Sequence, residues 1–224
     1  MEGVPVSYLE RYARYFELIA EKVPEDGTVI VIGANEGTEK CPVSSVWRDT
    51  WKAYLVEPNP AARAKMKRGG TIVPLAIGEE NGELNLWKMT DAAADEFKKR
   101  VGYDGSCLTS VSREHIEIRL NKKMPDWVKR YTYDALMERI DVECVTYDEL
   151  LKRYGIESVD LVQIDIEGYD RVAAEQALNS WTLPRILMWE HQHLTAKDSR
   201  FLEALALVRG YKVERLRNDT VAYR

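Results

Sequence analysis

The 224-residue chain has a net charge of −5, so it lacks the basic surplus that a general nucleic-acid binder needs to displace counterions. Its 45% apolar residues suffice for a real core, and the length suits one large domain with decorations. Three widely spaced cysteines, Cys41, Cys107 and Cys144, form no CxxC pair, so neither a disulfide framework nor a cysteine zinc site is indicated, and a reduced, cytoplasmic setting fits best.

The N-terminus, charged from its second residue, has no apolar core of a signal peptide, and no apolar run is long enough to span a bilayer. Ser7 and Glu10 have capping-box spacing. Tyr8, Tyr12, Tyr15, Phe16, Ile19 and Val23 then recur at helical spacing, predicting a core-facing helix over 7–22 within an N-terminal extension of residues 1–26. "TVIVIG" reads as a central parallel strand, and Pro42 opens a helix with Val43, Val46 and Trp47 on its apolar face. "AYLVEP" is a second strand, "AARAKMKR" a short helix, "TIVPLAIG" a third strand, and "GELNLW" a fourth, antiparallel piece.

Residues 88–140 break the alternation. They hold 11 Lys/Arg against 9 Asp/Glu, include the small polar stretch "DGSCLTSVS", and predict a helix after Pro125. An insertion or lid and a solvated surface elaboration both fit this segment. Beyond it come "IDVECVTY" as a strand, "DELLKRYG" as a helix, "VDLVQID" as a strand, "YDRVAAEQAL" as a helix, "RILMWEH" as a strand and "SRFLEALALVRG" as a helix. "YKVERLR" and "TVAYR" form a closing hairpin. Strands alternating with helices predict an α/β fold with a mostly parallel sheet in a single domain.

Ligands of such sheets bind beyond the carboxyl ends of the strands. Those ends carry Gly33-Ala34-Asn35-Glu36-Gly37, Glu57-Pro58-Asn59, Ala76-Ile77-Gly78, Asp165-Ile166-Glu167-Gly168 and Glu190-His191-Gln192-His193. The glycine turn is not a P-loop, because Gly33 and Gly37 are too close and Lys40 follows no glycine. It is not a dinucleotide fingerprint either: Asn35 replaces the second glycine, and Glu36 would repel a pyrophosphate. A cationic, phosphate-free nucleoside such as S-adenosylmethionine tolerates both residues. Glu57, about 20 residues beyond the turn, then suits the ribose hydroxyls.

"IGANEG", "YLVEPNP", "LAIGEENGELNL", "VTYDELL", "VDLVQIDIEGYD" and "ILMWEH" occur in an order and spacing that resemble the FkbM-type methyltransferases, over roughly residues 27–224. The resemblance implies a Rossmann-like class I fold with a seven-stranded sheet, S-adenosylmethionine as cofactor, and methyl transfer to a hydroxyl of a sugar, peptide or natural product. By position, Gly33, Ala34, Asn35 and Gly37 would contact the methionine end, Glu57 the ribose, and Pro58 with Ala76 and Ile77 the adenine. Asp165 and Glu167 would form the floor where cofactor and acceptor meet. Three features depart from the family. Val31 stands where an acid is usual, Gln163 where a lysine is common, and the loop "GTEKCP" is unusual. The first leaves the cofactor's amino group to Glu36 or Asp165.

A hydroxyl acceptor needs a base, and Asp165, Glu167, Glu190, His191 and His193 are the candidates. Each has a structural alternative: Asp165 as a cofactor ligand or helix cap, Glu167 as a helix-start acid. Glu190 ends a buried strand, where an idle charge is costly. His191 and His193 alternate along extended chain, so at most one of them faces the acceptor. Asp165, Glu190 and His191 are the catalytic assignment, Asp165 and Glu190 framing the acceptor and Glu190 or a neighbouring histidine assisting proton removal. His115, in the inserted segment, is expected at the surface. Convergence of Asp165, Glu167, Glu190 and a histidine on a divalent metal is conceivable, but the spacing is not diagnostic and no metal is assigned. A nicotinamide-dependent oxidoreductase and a non-catalytic cofactor-binding module are the rival classes.

Overall fold

The computed structural model describes residues 6–37, 41–102, 105 and 108–224. Lys40, Cys107 and the 38–40 part of the "GTEKCP" loop lie outside the described residues, as do the side chains of Ser7 and Tyr8. The chain runs α1 (Val6–Lys22), β1 (Thr28–Ile32), a 3-10 turn (Pro42–Val46), β2 (Lys52–Val56), α2 (Pro60–Arg63), β3 (Thr71–Val73), β4 (Ala76–Ile77) and β5 (Gly82–Met89). It continues with α3 (Asp91–Val101), α4 (Arg113–Lys123), α5 (Pro125–Val128), α6 (Tyr133–Leu136), β6 (Met137–Val145), α7 (Tyr147–Arg153) and β7 (Leu161–Ile164). Last come α8 (Asp170–Asn179), β8 (Ile186–Glu190), α9 (Ala196–Val208), β9 (Lys212–Arg215) and β10 (Asp219–Tyr223).

Seven strands form the main sheet in the order β3-β2-β1-β7-β8-β10-β9, parallel except for β10. Alternation along β1 decides the layers, since successive side chains point to opposite faces. Ile30 and Ile32 join Ile164, Trp189 and residues of α7, α8 and α9 in one core; Val29 and Val31 join Leu161, Met188 and α1 in another. Helix α1 is therefore part of the fold rather than an appendage. Its Tyr12 hydroxyl donates to Asp219 (2.7 Å), and its Tyr15 hydroxyl donates to the buried Gln163 (3.3 Å).

Two expectations about strands change. "TIVPLAIG" is two strands, because Pro74 cannot donate to a ladder and the chain leaves the main sheet there. Its second half, β4, pairs instead with β6, and β5 completes a separate three-stranded sheet of order β4-β6-β5. The strand predicted from Ile140 begins earlier, at Met137, where α6 ends.

The described residues of 90–136 form a helical insert at the far end of the β5–β6 ladder. Thr90 and Ser112 cap α3 and α4, each accepting an amide hydrogen bond in the first turn. Met89, Phe97, Leu108, Ile116, Leu120 and Trp127 pack into a third apolar cluster of their own, so the segment has a core and is not a solvated elaboration. No helix among the described residues is long and apolar enough to cross a membrane.

Candidate active site

The carboxyl ends of β1, β2 and β7 meet under the insert and enclose a cavity of about 500 Å³. Gly33 makes this meeting possible. Its φ is +81°, and a Cβ there would lie 1.9 Å from the Asp165 carbonyl oxygen. The Gly33 and Ala34 amides donate to Val56 O (2.9 and 3.0 Å), tying the turn to β2. Asn35 also has positive φ, at +49°, a region that asparagine tolerates better than most residues.

Glu57 is buried, and both its oxygens are engaged: Oε2 accepts from the Asn35 amide and Oε1 from the Asn59 amide, each at 2.8 Å. Burial raises its pKa, and the two amide hydrogen bonds oppose that rise. A carboxylate has about four acceptor positions, so room remains for two further donors on the cavity side. Glu57→Gln would turn a donor towards one of those amides. The expected outcome is about 1–3 kcal/mol of lost stability in chemical denaturation.

Gly33, Ala34, Asn35 and Glu36 line the cavity on one side, and Glu57, Pro58, Ala76 and Ile77 on another. Gly37 does not line it; at φ +63° it packs against Met66 and Arg68. Asn35 Oδ1 is buried and has no hydrogen-bond partner among the described residues.

Asp165 forms the floor. Its side chain opens into the cavity while protein surrounds that cavity. Burial first, and then the negative charges of Glu167, Asp170 and Asp219, hold its carboxyl well above the ordinary range. Asp170, which sequence reasoning missed, is fully buried and fastens this region. It accepts from the amides of Ile166 (3.4 Å), Gly168 (3.3 Å) and Glu190 (3.2 Å), joining the turn after β7 to the end of β8. Burial raises it to about 7.

Beside the cavity stands a charged cluster in which the insert touches the main sheet. Glu167, at φ +51°, lies 2.8 Å from His115 Nε2 and accepts from Arg119 Nη2 at 3.0 Å. Burial alone would raise its pKa, but His115 and Arg119 outweigh it and leave Glu167 below its ordinary value. Arg119 Nη2 is also 3.0 Å from His193 Nε2. A guanidinium only donates, so His193 Nε2 accepts and the ring proton sits on Nδ1. Burial first, then Arg119, lower His193 to about 4. Glu190 Oε2 lies 3.5 Å from His193 Nε2. Burial, followed by the charges of Asp165 and Glu167, raises Glu190 to about 9.

The histidines fall out differently from the sequence expectation. His191 turns away from the cluster, its Nδ1 2.9 Å from Thr220 Oγ1, and its pKa is lowered by burial and then Arg215. His193 takes the inward place. His115, expected at the surface, is largely covered and paired with Glu167. The serine cap before α4 was legible, but nothing in the local sequence says which way α4 lies on the sheet.

Comparison with known proteins supplies the deciding observation: the family described as Methyltransferase FkbM domain matches residues 32–213. The chain belongs to the FkbM methyltransferase family.

Among solved structures, the Methyltransferase FkbM from Methylobacillus flagellatus KT is similar at 8% identity and a TM-score of 0.49, covering 97% of this chain and 60% of that one. The chain thus spans 60% of the length of that protein, less than two thirds. A precorrin-6y C5,15-methyltransferase from Geobacter metallireducens GS-15 is similar at 11% identity and a TM-score of 0.42, covering 100% and 91%. No curated protein matches the chain.

Within the FkbM frame, the Val31 and Gln163 departures prove to be neighbours. They are register partners across β1 and β7 on the face that α1 covers. Both residues are neutral here. Gln163 takes up the local polar groups, accepting from the Val43 amide (3.0 Å) and donating to Cys41 Sγ (2.7 Å). The Cys41 thiol is pushed up to about 12 by burial and then by Asp165, so it stays neutral.

Proposed function

We propose that this chain transfers a methyl group from S-adenosylmethionine to a hydroxyl oxygen of a small polar acceptor, such as a sugar, peptide or natural product. The observation that carries the reading is the Asp165 carboxylate, open to the cavity and raised in proton affinity, on the floor of a turn that Gly33 alone can form.

The residues fit the cofactor. Asn35 Oδ1, buried and without a partner among the described residues, accepts a donor from the ligand, Glu57 keeps capacity for ribose hydroxyls, and Pro58, Ala76 and Ile77 give an apolar wall for a base. Glu36, whose Oε1 lies 3.5 Å from Lys65 Nζ, faces the same cavity and is the acid of the turn placed to meet an ammonium. When bound, S-adenosylmethionine supplies a methyl already activated on a sulfonium. The protein's part is alignment, exclusion of water and proton removal. Asp165 takes the acceptor proton. The insert closes the acceptor side together with β5: Leu84 and Leu86 of β5 and Leu108 and Val111 of the insert are apolar lining, and Lys98 is a charged group.

Thermal unfolding tests the ligand: S-adenosylmethionine should raise Tm where NAD does not. A shift with NAD alone would favour the oxidoreductase reading. Transfer of radiolabelled methyl to hydroxyl-bearing acceptors tests the reaction, and binding without turnover on any acceptor would favour a non-catalytic module.

Glu190 gives a separate expectation. Its folded pKa is raised, so its contribution to stability is full below the ordinary 4.5 and is lost as pH rises through about 9. Glu190→Gln should therefore flatten the fall in Tm over that window. Retained turnover in the same variant would assign Glu190 to charge balance rather than to proton removal.

A further inference from the structure

We propose that His115, Glu167 and His193 form a binding site for a divalent transition-metal ion at the cavity wall. The three ligating atoms lie within 4.8 Å of one another. His115 Nε2 is 2.8 Å, and His193 Nε2 3.9 Å, from Glu167 Oε2. Ligands at about 2.1 Å from a tetrahedral ion are about 3.4 Å apart, and these separations bracket that value. The imidazole rings meet edge to face with centroids 4.7 Å apart, which directs both Nε2 atoms to the same carboxylate. All three side chains are 14–16% exposed, so the place is shielded yet reachable.

Two imidazoles and a carboxylate select the ion. Mg²⁺ and Ca²⁺ want oxygen ligands, whereas nitrogen-rich sites favour Zn²⁺, Co²⁺, Ni²⁺ or Fe²⁺. Two histidines and one acid also leave coordination positions open, facing a wall that Glu167 already lines. The ligands come from three separate parts of the chain: His115 from α4 of the insert, Glu167 from the turn after β7, and His193 from beyond β8. A bound ion would join the insert to the main sheet.

Arg119 is the local competitor. Its Nη2 contacts Glu167 Oε2 and His193 Nε2, two of the atoms the metal needs. Metal binding therefore requires the guanidinium to move, and removing it should tighten the site.

Calorimetric titration of the full chain with ZnCl₂ or CoCl₂, without cofactor or acceptor, tests this independently of methyl transfer; its failure would leave the proposed reaction standing. The expected result is one saturable site per chain, with visible d–d absorption for Co²⁺ and a rise in Tm. His115→Gln and His193→Gln should each weaken binding by more than about a hundredfold, beyond the usual cost of an outer-shell change. Arg119→Met should tighten it by about tenfold, the scale of one charge-assisted hydrogen bond, and a gain of affinity cannot come from misfolding. Absence of saturable binding to both the wild type and Arg119→Met would overturn the proposal. So would affinity unchanged in both histidine variants.

Discussion

Gly33→Ala should be the most damaging single substitution in the cofactor turn. The added methyl would sit 1.9 Å from the Asp165 carbonyl oxygen, which is backbone and cannot swing aside. The residue would also be held at φ +81°, where an L side chain is strained. Strain and overpacking together set an expected loss of about 3 kcal/mol, or roughly 6–12 °C in Tm for a chain of this size. Because the clash lies between the ends of β1 and β7, S-adenosylmethionine should cease to stabilise whatever folded protein remains. Gly69→Ala, where a Cβ meets nothing within 4 Å, is the matched control and should behave like wild type. A variant at Gly33 that kept its Tm would show that the two strand ends separate easily, contrary to the packing described above.

Asp165→Asn should separate rate from stability. On the proposed mechanism Asp165 takes the acceptor proton, which it can do only when ionised. Its carboxyl is held well above the ordinary 3.8 by burial and by neighbouring carboxylates, so kcat/KM should rise with pH through a value above the usual carboxylate range. The asparagine variant should lose that limb and about 10²–10⁴ in kcat. Stability should not follow the rate. A raised folded pKa means that the stabilising contribution is complete below 3.8 and is lost as pH rises; the side chain is exposed to solvent within the cavity, which screens the effect, so at neutral pH the variant should melt no lower than wild type. A lower kcat with an unchanged pH limb would transfer the proton step to another group. A lower Tm at neutral pH would make the Asp165 charge a structural asset.

The main sheet was legible because each of its central strands is a short β-branched or apolar run ending in a polar turn. β1, β2, β7 and β8 all have this form. The glycine turn and Glu57 were legible for a related reason: backbone geometry and acceptor capacity are local properties. What escaped was set by tertiary direction. Asp170 looked like an ordinary first-turn helix acid, yet it holds three backbone amides of two different strand ends. His115 and Arg119 looked like charges on an exposed helix, because the sequence of α4 does not reveal that one side rests on Glu167. The choice of His193 over His191 follows from the register of β10, whose Thr220 engages His191. Pro74 was the one readable warning that "TIVPLAIG" would not run as a single strand.

The separate apolar cluster of the insert has a consequence for dynamics. A segment with its own core, joined to the sheet mainly through the β5–β6 ladder and a charged contact at Glu167, opens as a cooperative unit rather than residue by residue. Amide hydrogens of α3 and α4 should therefore exchange together, faster than those of β1 and β7 and with one shared free energy. Acceptor entry and product exit can then follow a partial unfolding event that leaves the seven-stranded sheet and its glycine turn intact.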